Sequence, residues 1–240
     1  MKQRTSRFAT QRVLAALANP SDAAILQRFF KTGPGEYGEG DLFRGIRVPV
    51  LRQLVPQHAA LPHADVLRLL QSAYHEDRLF ALLLLVRQFE RGDAAQQQRI
   101  FDAYLGHTRW INNWDLVDLS APNIVGAWVA AHDTAILGQL VRSESLWERR
   151  IAIVATFALI RQKRYATTLA LSRSLLADRE ALLHKAAGWM LREVGKRDKG
   201  ALTAFLDRHA AVMPRTMLRY AIERLPEGER RRYLRLKSNE

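Results

Sequence analysis

The 240-residue chain contains no cysteine. This absence excludes disulfide bonds, zinc–thiolate sites and thiol catalysis, and it permits a reducing compartment. The N-terminus lacks the charged segment followed by an apolar one that marks a signal peptide. The longest apolar run, Leu79 to Val86, is far shorter than the ~18–20 residues of a membrane span. We therefore expect a cytoplasmic protein and predict no contact with a membrane.

Lysine is scarce relative to arginine. Of the 37 basic residues only 7 are lysine and 30 are arginine, and with 24 acidic residues the net charge is +13. Because the guanidinium group presents a planar fork of donors that suits phosphate, this balance favours a nucleic-acid partner. A genome with a bias toward arginine codons is the alternative explanation.

Sustained alternation of apolar and polar residues, which marks half-buried strands, is also missing. Apolar residues instead recur at i, i+3 and i+4, which predicts helices over 10–17, 23–30, 48–58, 64–73, 77–91, 94–105, 113–130, 134–141, 146–162, 165–176, 180–195, 199–209, 214–225 and 228–236. Many short helices with tight turns indicate a helical repeat array. We predict an all-α fold, an α-solenoid (superhelix) of about six to seven HEAT-like two-helix repeats in a single domain, residues 1–240.

Similar hexapeptides begin at intervals of 36, 36, 35 and 30 residues, close to the period of two-helix repeats. In this register, equivalent positions hold Arg78, Trp114, Arg150, Lys185 and Arg215. One helical turn later they hold Leu82, Asp118, Val154, Trp189 and Arg219. If both sets face one concave surface, that surface carries five cations, two indoles and one carboxylate. Such a composition is typical of a nucleic-acid groove with aromatic platforms.

Residues 109–118 form the most distinctive stretch, with two tryptophans, two asparagines and two aspartates. Asn112 or Asn113 can cap a helix that starts there, since the side-chain oxygen accepts from an otherwise unpaired N–H group. Trp114 and Asp118 then lie one turn apart on the same face. The carboxylate of Asp118 opposes the binding of a polyanion, so we expect a role for it other than binding.

Each of these candidates also has a simpler interpretation. Trp114 and Trp189 can be core residues, as most helical tryptophans are. Asp118 can form an ion pair with a neighbouring arginine such as Arg150. Asp115 lies elsewhere on the helix, and we expect it to be solvated or to act as a cap.

Motifs for several other chemistries are missing. No pair of histidines has the spacing of metal ligands, so we predict no metal. There is neither a Gly-x-Ser-x-Gly nucleophile elbow nor a Gly-x-x-x-x-Gly-Lys phosphate loop. The glycine-rich loop, residues 31–41, does not follow a strand, which disfavours a dinucleotide site, and we predict no cofactor. Two roles for this loop stay open, since it can become ordered on DNA or cap the first repeat.

Several long motifs resemble those of one family. They are Lys31-Thr32-Gly33-Pro34-Gly35-Glu36-Tyr37-Gly38-Glu39-Gly40-Asp41, Phe43-Arg44-Gly45-Ile46-Arg47-Val48-Pro49, Asn112-Asn113-Trp114-Asp115-Leu116-Val117-Asp118, Trp147-Glu148-Arg149-Arg150 and Lys185-Ala186-Ala187-Gly188-Trp189-Met190-Leu191-Arg192-Glu193. Over residues 20–236 the chain resembles the AlkD-like DNA alkylation repair glycosylases.

The resemblance implies a HEAT-like superhelix that holds duplex DNA in its concave face and hydrolyses the glycosidic bond of cationic N3- or N7-alkylated purines. It places Asp118, Trp114 and Trp189 in the catalytic cleft and Arg150 on the DNA backbone. It also implies a monofunctional enzyme that acts without full base flipping. We expect a monomer, associated with the nucleoid through DNA, whose predicted DNA contacts are Arg150, Arg149, Arg78, Lys185, Arg215 and Arg219. The alternatives are a non-catalytic HEAT-repeat protein that binds damaged or branched DNA and a protein-binding scaffold.

Overall fold

The computed structural model of the chain describes residues 6–236. Between these limits it contains sixteen α-helices, two short 3-10 helices and no strand. The nearest approach to a sheet in this range is an isolated bridge between Leu42 and Tyr74. The prediction of an all-α helical-repeat fold is therefore confirmed. Among the same residues, no helix combines the length and the apolar character that a membrane crossing needs.

The chain divides into two compact units, residues 1–120 and 121–240. Within the first, helix α5 is the centre, because α3, α4, α6 and α7 all pack against it. Most of its side chains are buried accordingly. The helices of this unit are α1 Arg7–Ala16, α2 Pro20–Phe29, α3 Val48–His58, α4 His63–Leu70, α5 His75–Arg91, α6 Ala94–Gly106 and α7 Trp114–Ser120.

In the second unit α13 is the most extensively packed helix, in contact with α10, α12, α14 and α15. Gly188 of α13 permits the close approach of α15, since a Cβ atom there would lie 2.5 Å from the carbonyl oxygen of Met217. The helices of this unit are α8 Val125–Ala131, α9 Ala135–Leu140, α10 Leu146–Ala155, α11 Phe157–Arg161, α12 Ala166–Ser174, α13 Ala181–Gly195, α14 Lys199–His209, α15 Arg215–Ala221 and α16 Glu227–Arg235. The single repeat domain over residues 1–240 stays a prediction.

Two of the predicted helices are each divided in the structure. The predicted helix 113–130, for which the sequence predicts a bend near Pro122, is broken by the turn at residues 121–124, where Pro122 supplies no N–H group for a helical hydrogen bond. The predicted helix 146–162 ends at Ala155 and resumes at Phe157. Between them, the hydroxyl of Thr156 donates to the carbonyl oxygen of Ile153 at 2.7 Å, a local bond that competes with regular helix geometry.

Side-chain caps fix several helix starts. Asn19 caps α2, accepting from the N–H groups of Ser21 and Asp22 at 3.0 and 3.2 Å. Pro20 follows it at the first helical position, where a missing N–H group costs nothing. Asn19 is therefore the N-cap residue of α2.

Candidate active site

A cleft of about 520 Å³ lies in the first unit. Its wall is mostly apolar and aromatic, and a few charged side chains are grouped along it. The apolar lining consists of Leu26, Phe29, Phe30, Phe43, Ile46, Val48, Pro49, Leu79, Trp114 and Leu119. The charged lining consists of Arg47, His75, Glu76, Asp115 and Asp118.

Helix α7 brings Trp114 and Asp118 into this cleft. Asn113 precedes the helix, and its side-chain oxygen accepts from the N–H group of Trp114 at 2.8 Å, while its carbonyl oxygen accepts from the N–H group of Val117. Both Trp114 and Asp118 are half-buried and line the same cavity. The two side chains are thus placed together, as expected from their spacing, and their catalytic roles stay predictions.

Three rings form a continuous stack behind the indole of Trp114. The ring of Phe30 lies 5.2 Å from the indole of Trp114, and the ring of Phe43 lies 5.3 Å from that of Phe30. The imidazole of His75 stacks on Phe43 at 4.7 Å. Phe29 approaches the indole edge-on at 5.8 Å and is 60% exposed. The cleft therefore offers aromatic faces, one of them open to solvent.

Beneath the aromatic wall lies a buried charged network centred on His75. One ring nitrogen, Nδ1, lies 3.2 Å from Oδ2 of Asp41, and the other, Nε2, lies 2.9 Å from Oδ2 of Asp115. Burial alone would lower the pKa of His75, but Asp115 and Asp41 raise it to about 9. Burial alone would raise the pKa of Asp41, but His75 and Arg78 keep that pKa below its ordinary value. His75 is therefore a buried imidazolium at neutral pH.

The next two residues of α5 hold the segment that follows the glycine-rich loop. The carboxylate of Glu76 accepts from the N–H groups of Arg44, Gly45 and Ile46 at 2.9, 2.8 and 3.1 Å. Asp77 forms a bidentate ion pair with the guanidinium group of Arg44 at 2.7 and 3.0 Å. Residues 44–46 are therefore attached to the first turn of α5, beside the cleft.

The glycine-rich loop also contacts the start of α7 directly. Asn112 donates to Oδ1 of Asp41 at 3.4 Å. Gly38 lies so close that a Cβ atom there would be 2.5 Å from the carbonyl oxygen of Phe30 and 3.5 Å from the side-chain nitrogen of Asn113. The sequence is compatible with two roles for this loop, and in the structure the loop packs against the residues that precede Trp114.

Two aspects of the first unit differ from what the sequence pattern favours. Arg78 is 3% exposed, forms an ion pair with Asp41 at 2.7 Å and donates to the carbonyl oxygens of Ser72 and Ala73. These contacts favour a structural role for it over the predicted contact with DNA. Asp115 is 7% exposed, so the expectation that it is solvated is wrong, although it does accept from the N–H group of Leu116.

In the second unit α10 carries the predicted contacts Arg149 and Arg150. Arg149 is half-buried, pairs with Asp178 at 2.9 Å and donates to two backbone carbonyl oxygens before the helix. Arg150 is 5% exposed and donates to the carbonyl oxygen of Leu182 at 2.6 Å, which joins α10 to α13. Both guanidinium groups are therefore held by protein acceptors.

The remaining predicted residues of this unit are more accessible. Lys185, Arg215 and Arg219 are exposed, and Trp189 is half-buried. The indole of Trp189 lies 6.1 Å from the ring of Phe157. Arg215 donates to the carbonyl oxygens of residues 234 and 236 at the end of α16. Since α13 packs on α15, these cationic side chains belong to neighbouring helices of one unit, and their contact with DNA stays a prediction.

The repeat register does not by itself decide exposure. Leu82 and Val154, which it aligns with Asp118 and Trp189, are completely buried. Arg78 and Arg150 are likewise buried, whereas Lys185 at the equivalent position is exposed. The aligned positions are therefore a mixture of core and surface residues.

Residues 10–225 match the DNA alkylation repair enzyme family. The match spans most of the chain, so the protein belongs to the DNA alkylation repair enzymes. Among solved structures, the chain is similar to a predicted DNA alkylation repair enzyme from Enterococcus faecalis, with a TM-score of 0.69 and 20% sequence identity over 88% of this chain and 97% of that one. At that identity the likeness shows a shared fold. No curated protein sequence is significantly similar to the chain.

Membership of this family makes DNA the substrate and repair of alkylation damage the general role. The arginine-rich composition is consistent with that substrate, because phosphate contacts dominate the affinity of proteins for DNA. The resemblance seen in the sequence motifs is thereby confirmed at the level of the family.

Proposed function

We propose that the protein is a DNA glycosylase that hydrolyses the N-glycosidic bond of cationic N3- or N7-alkylated purines in duplex DNA. The observation that carries this proposal is the position of Asp118. In a chain of net charge +13, its carboxylate lines a cleft whose wall is mainly aromatic and apolar. A negative charge there opposes phosphate binding, so it is better explained by a positive charge in the reacting group.

The chemistry of the lesion matches this arrangement. Alkylation at N3 or N7 places a positive charge on the purine, which leaves with the electrons of the glycosidic bond and needs no strong acid to protonate it. The deoxyribose then carries oxocarbenium character, which the carboxylate of Asp118 stabilises. A water molecule positioned by the same carboxylate adds to the sugar carbon and loses its proton, completing the hydrolysis.

The aromatic residues supply the complementary surface. A cation above the face of an indole or phenyl ring is attracted by the negative electrostatic potential of that face. Trp114, with Phe29 and Phe30 next to it, presents such faces in the cleft. By the family resemblance, we also propose a catalytic role for Trp189.

We further propose that the exposed cations Lys185, Arg215 and Arg219 bind the DNA backbone, with Arg149 and Arg150 shaping the same surface. None of the described residues that line the cleft is a lysine, which supports a monofunctional enzyme without a Schiff-base step. We also propose that the protein is a monomer, that it is associated with the nucleoid and that it acts without full base flipping.

The test is the release of 7-methylguanine from methylated duplex DNA by the full chain. Asp118→Asn is expected to abolish release and to leave DNA affinity equal or tighter, because a charge that opposes phosphate is removed. Asp102→Asn is the matched control, since it removes an exposed carboxylate from α6 of the same unit and should retain release. Full activity in Asp118→Asn would refute the mechanism. Normal DNA binding without any release by the wild type would favour a non-catalytic DNA-binding protein.

A further inference from the structure

The geometry around His75 requires a doubly protonated ring. A carboxylate can only accept hydrogen bonds, and both ring nitrogens of His75 face carboxylate oxygens, of Asp41 at 3.2 Å and of Asp115 at 2.9 Å. A neutral imidazole has a single N–H group and could donate to only one of them. Only the imidazolium can hold both carboxylates at once.

The charges around this imidazolium are balanced. Asp41 from the loop and Asp115 from α7 are the two anions, and His75 and Arg78 from α5 are the two cations. The other charged residues along the cleft are Glu76, Arg47 and Asp118. The carboxylate of Glu76 accepts from the backbone N–H groups of residues 44–46, and Arg47 and Asp118 line the cleft. A buried ion network of this kind tolerates the loss of one member poorly, because the partner charge is left buried and uncompensated.

The network joins three segments that are separate in the sequence. Asp41 is the last residue of the glycine-rich loop, His75 is the first residue of α5, and Asp115 directly follows Trp114 on α7. Oδ1 of Asp115 accepts from the N–H group of Leu116 while Oδ2 is held by His75. The side chain of Asp115 is thus fixed at both oxygens, which sets the rotation of the helix turn that presents Trp114 and Asp118.

We propose that the imidazolium of His75 is a positioning residue of the alkylpurine site, which holds Asp118 and Trp114 in place by joining Asp115 of α7 to Asp41 of the glycine-rich loop. This inference rests on the proposed glycosylase function and extends it to a residue outside the motif that carries the carboxylate. Although His75 borders the cleft, it is 1% exposed and stacks on Phe43, so its proposed role is to hold α7 and not to act on the substrate. Its effect reaches the reaction through the geometry of α7.

The first test compares single-turnover release of 7-methylguanine between pH 6 and 10, with a no-enzyme control at each pH. In His75→Gln the rate is expected to fall by about ten- to a hundredfold, as small displacements of a catalytic group do, while DNA affinity changes little. His58→Gln is the matched control, because His58 is another buried histidine of the same unit, is hydrogen-bonded to Thr10 and is not one of the residues that line the cleft. It should keep the wild-type rate.

The shape of the pH profile separates positioning from general destabilisation. Wild-type release should decline as the pH rises through about 9, where His75 loses its proton. In Asp115→Asn the anion that raises the pKa of His75 is absent, so the decline should begin at lower pH. A variant that was merely less stable would have a lower rate, but the rate would decline at the same pH as in the wild type. If the rate declined at the same pH in the wild type, Asp115→Asn and His75→Gln, the inference would be overturned.

A measurement without DNA keeps this inference distinct from the proposed function. The ring signals of His75 in the NMR spectrum, assigned with His75→Gln, should titrate near pH 9 in the wild type and at lower pH in Asp115→Asn. The indole N–H signal of Trp114 should shift in the same pH range. If the wild type released no alkylpurine, the function would fail while these titrations still tested the network. If release were normal in His75→Gln, or if the indole N–H signal of Trp114 did not shift as His75 titrates, only the positioning role would fail.

Discussion

Raising the pH from 6.5 to 10 is expected to remove a defined part of the stability of the first unit. The pKa of His75 is raised from the ordinary 6.5 to about 9 in the folded chain. Between these values the folded protein binds a proton that the unfolded chain has lost, so the free energy of unfolding falls with pH. The contribution is fully present below pH 6.5 and is lost as the pH rises through about 9. At about 1.36 kcal/mol for each pH unit, the loss amounts to roughly 3 kcal/mol.

Urea unfolding of the full chain measures this loss. The wild type should be more stable than His75→Gln by an amount that shrinks by roughly 3 kcal/mol between pH 6 and pH 10, because the variant lacks the titrating group. Taking the difference between the two proteins removes the contribution of the tyrosines and lysines, which titrate in both. For His58→Gln the difference should be constant from pH 7.5 to 10, since burial lowers the pKa of His58. An equal stability difference between wild type and His75→Gln at pH 6 and pH 10 would refute a buried imidazolium.

Two further predictions concern the loop and the DNA contacts. In Gly38→Ala the new methyl group would meet the carbonyl oxygen of Phe30 at 2.5 Å, so we expect a displaced loop and slower 7-methylguanine release. Gly35→Ala, at a positive φ but in open space, should cost only about 1 kcal/mol of stability and little activity, and equal activity in the two variants would contradict the packing argument. Lys185→Ala and Arg219→Ala should each make the plot of log affinity against log salt concentration less steep, by about 0.9 in slope for every lost phosphate contact. An unchanged slope would exclude that residue from the DNA surface.

The helical fold was largely predictable because its signals are local. Helices 48–58 and 199–209 were predicted with the bounds that the structure has, since apolar periodicity and flanking turn residues lie next to each other in the chain. The pairing of Trp114 with Asp118 was predictable for the same reason, as it depends only on helical spacing. The division at Thr156 was not, because it depends on a single side-chain hydrogen bond.

The charged network behind the cleft could not be read from spacing. His75 meets partners 34 and 40 residues away, and such contacts depend on how helices pack. The sequence features that hint at this network are two acidic residues, Asp41 at the end of the glycine-rich loop and Asp115 inside the tryptophan motif. Burial was the other missing quantity, since the repeat register aligned Arg78 with exposed cations without indicating that it lies in the core.

The first turn of α5 has a consequence for any attempt to exchange parts between related proteins. Its four residues, His75 to Arg78, all hold groups on the glycine-rich loop, the segment after it or α7, and His75 and Arg78 share Asp41. A chimaera that received residues 31–46 from a relative with a different first turn would bring carboxylates and N–H groups without their partners. Loop, turn and tryptophan motif must therefore be inherited together, so that variation in any one of them is constrained by residues thirty or more positions away.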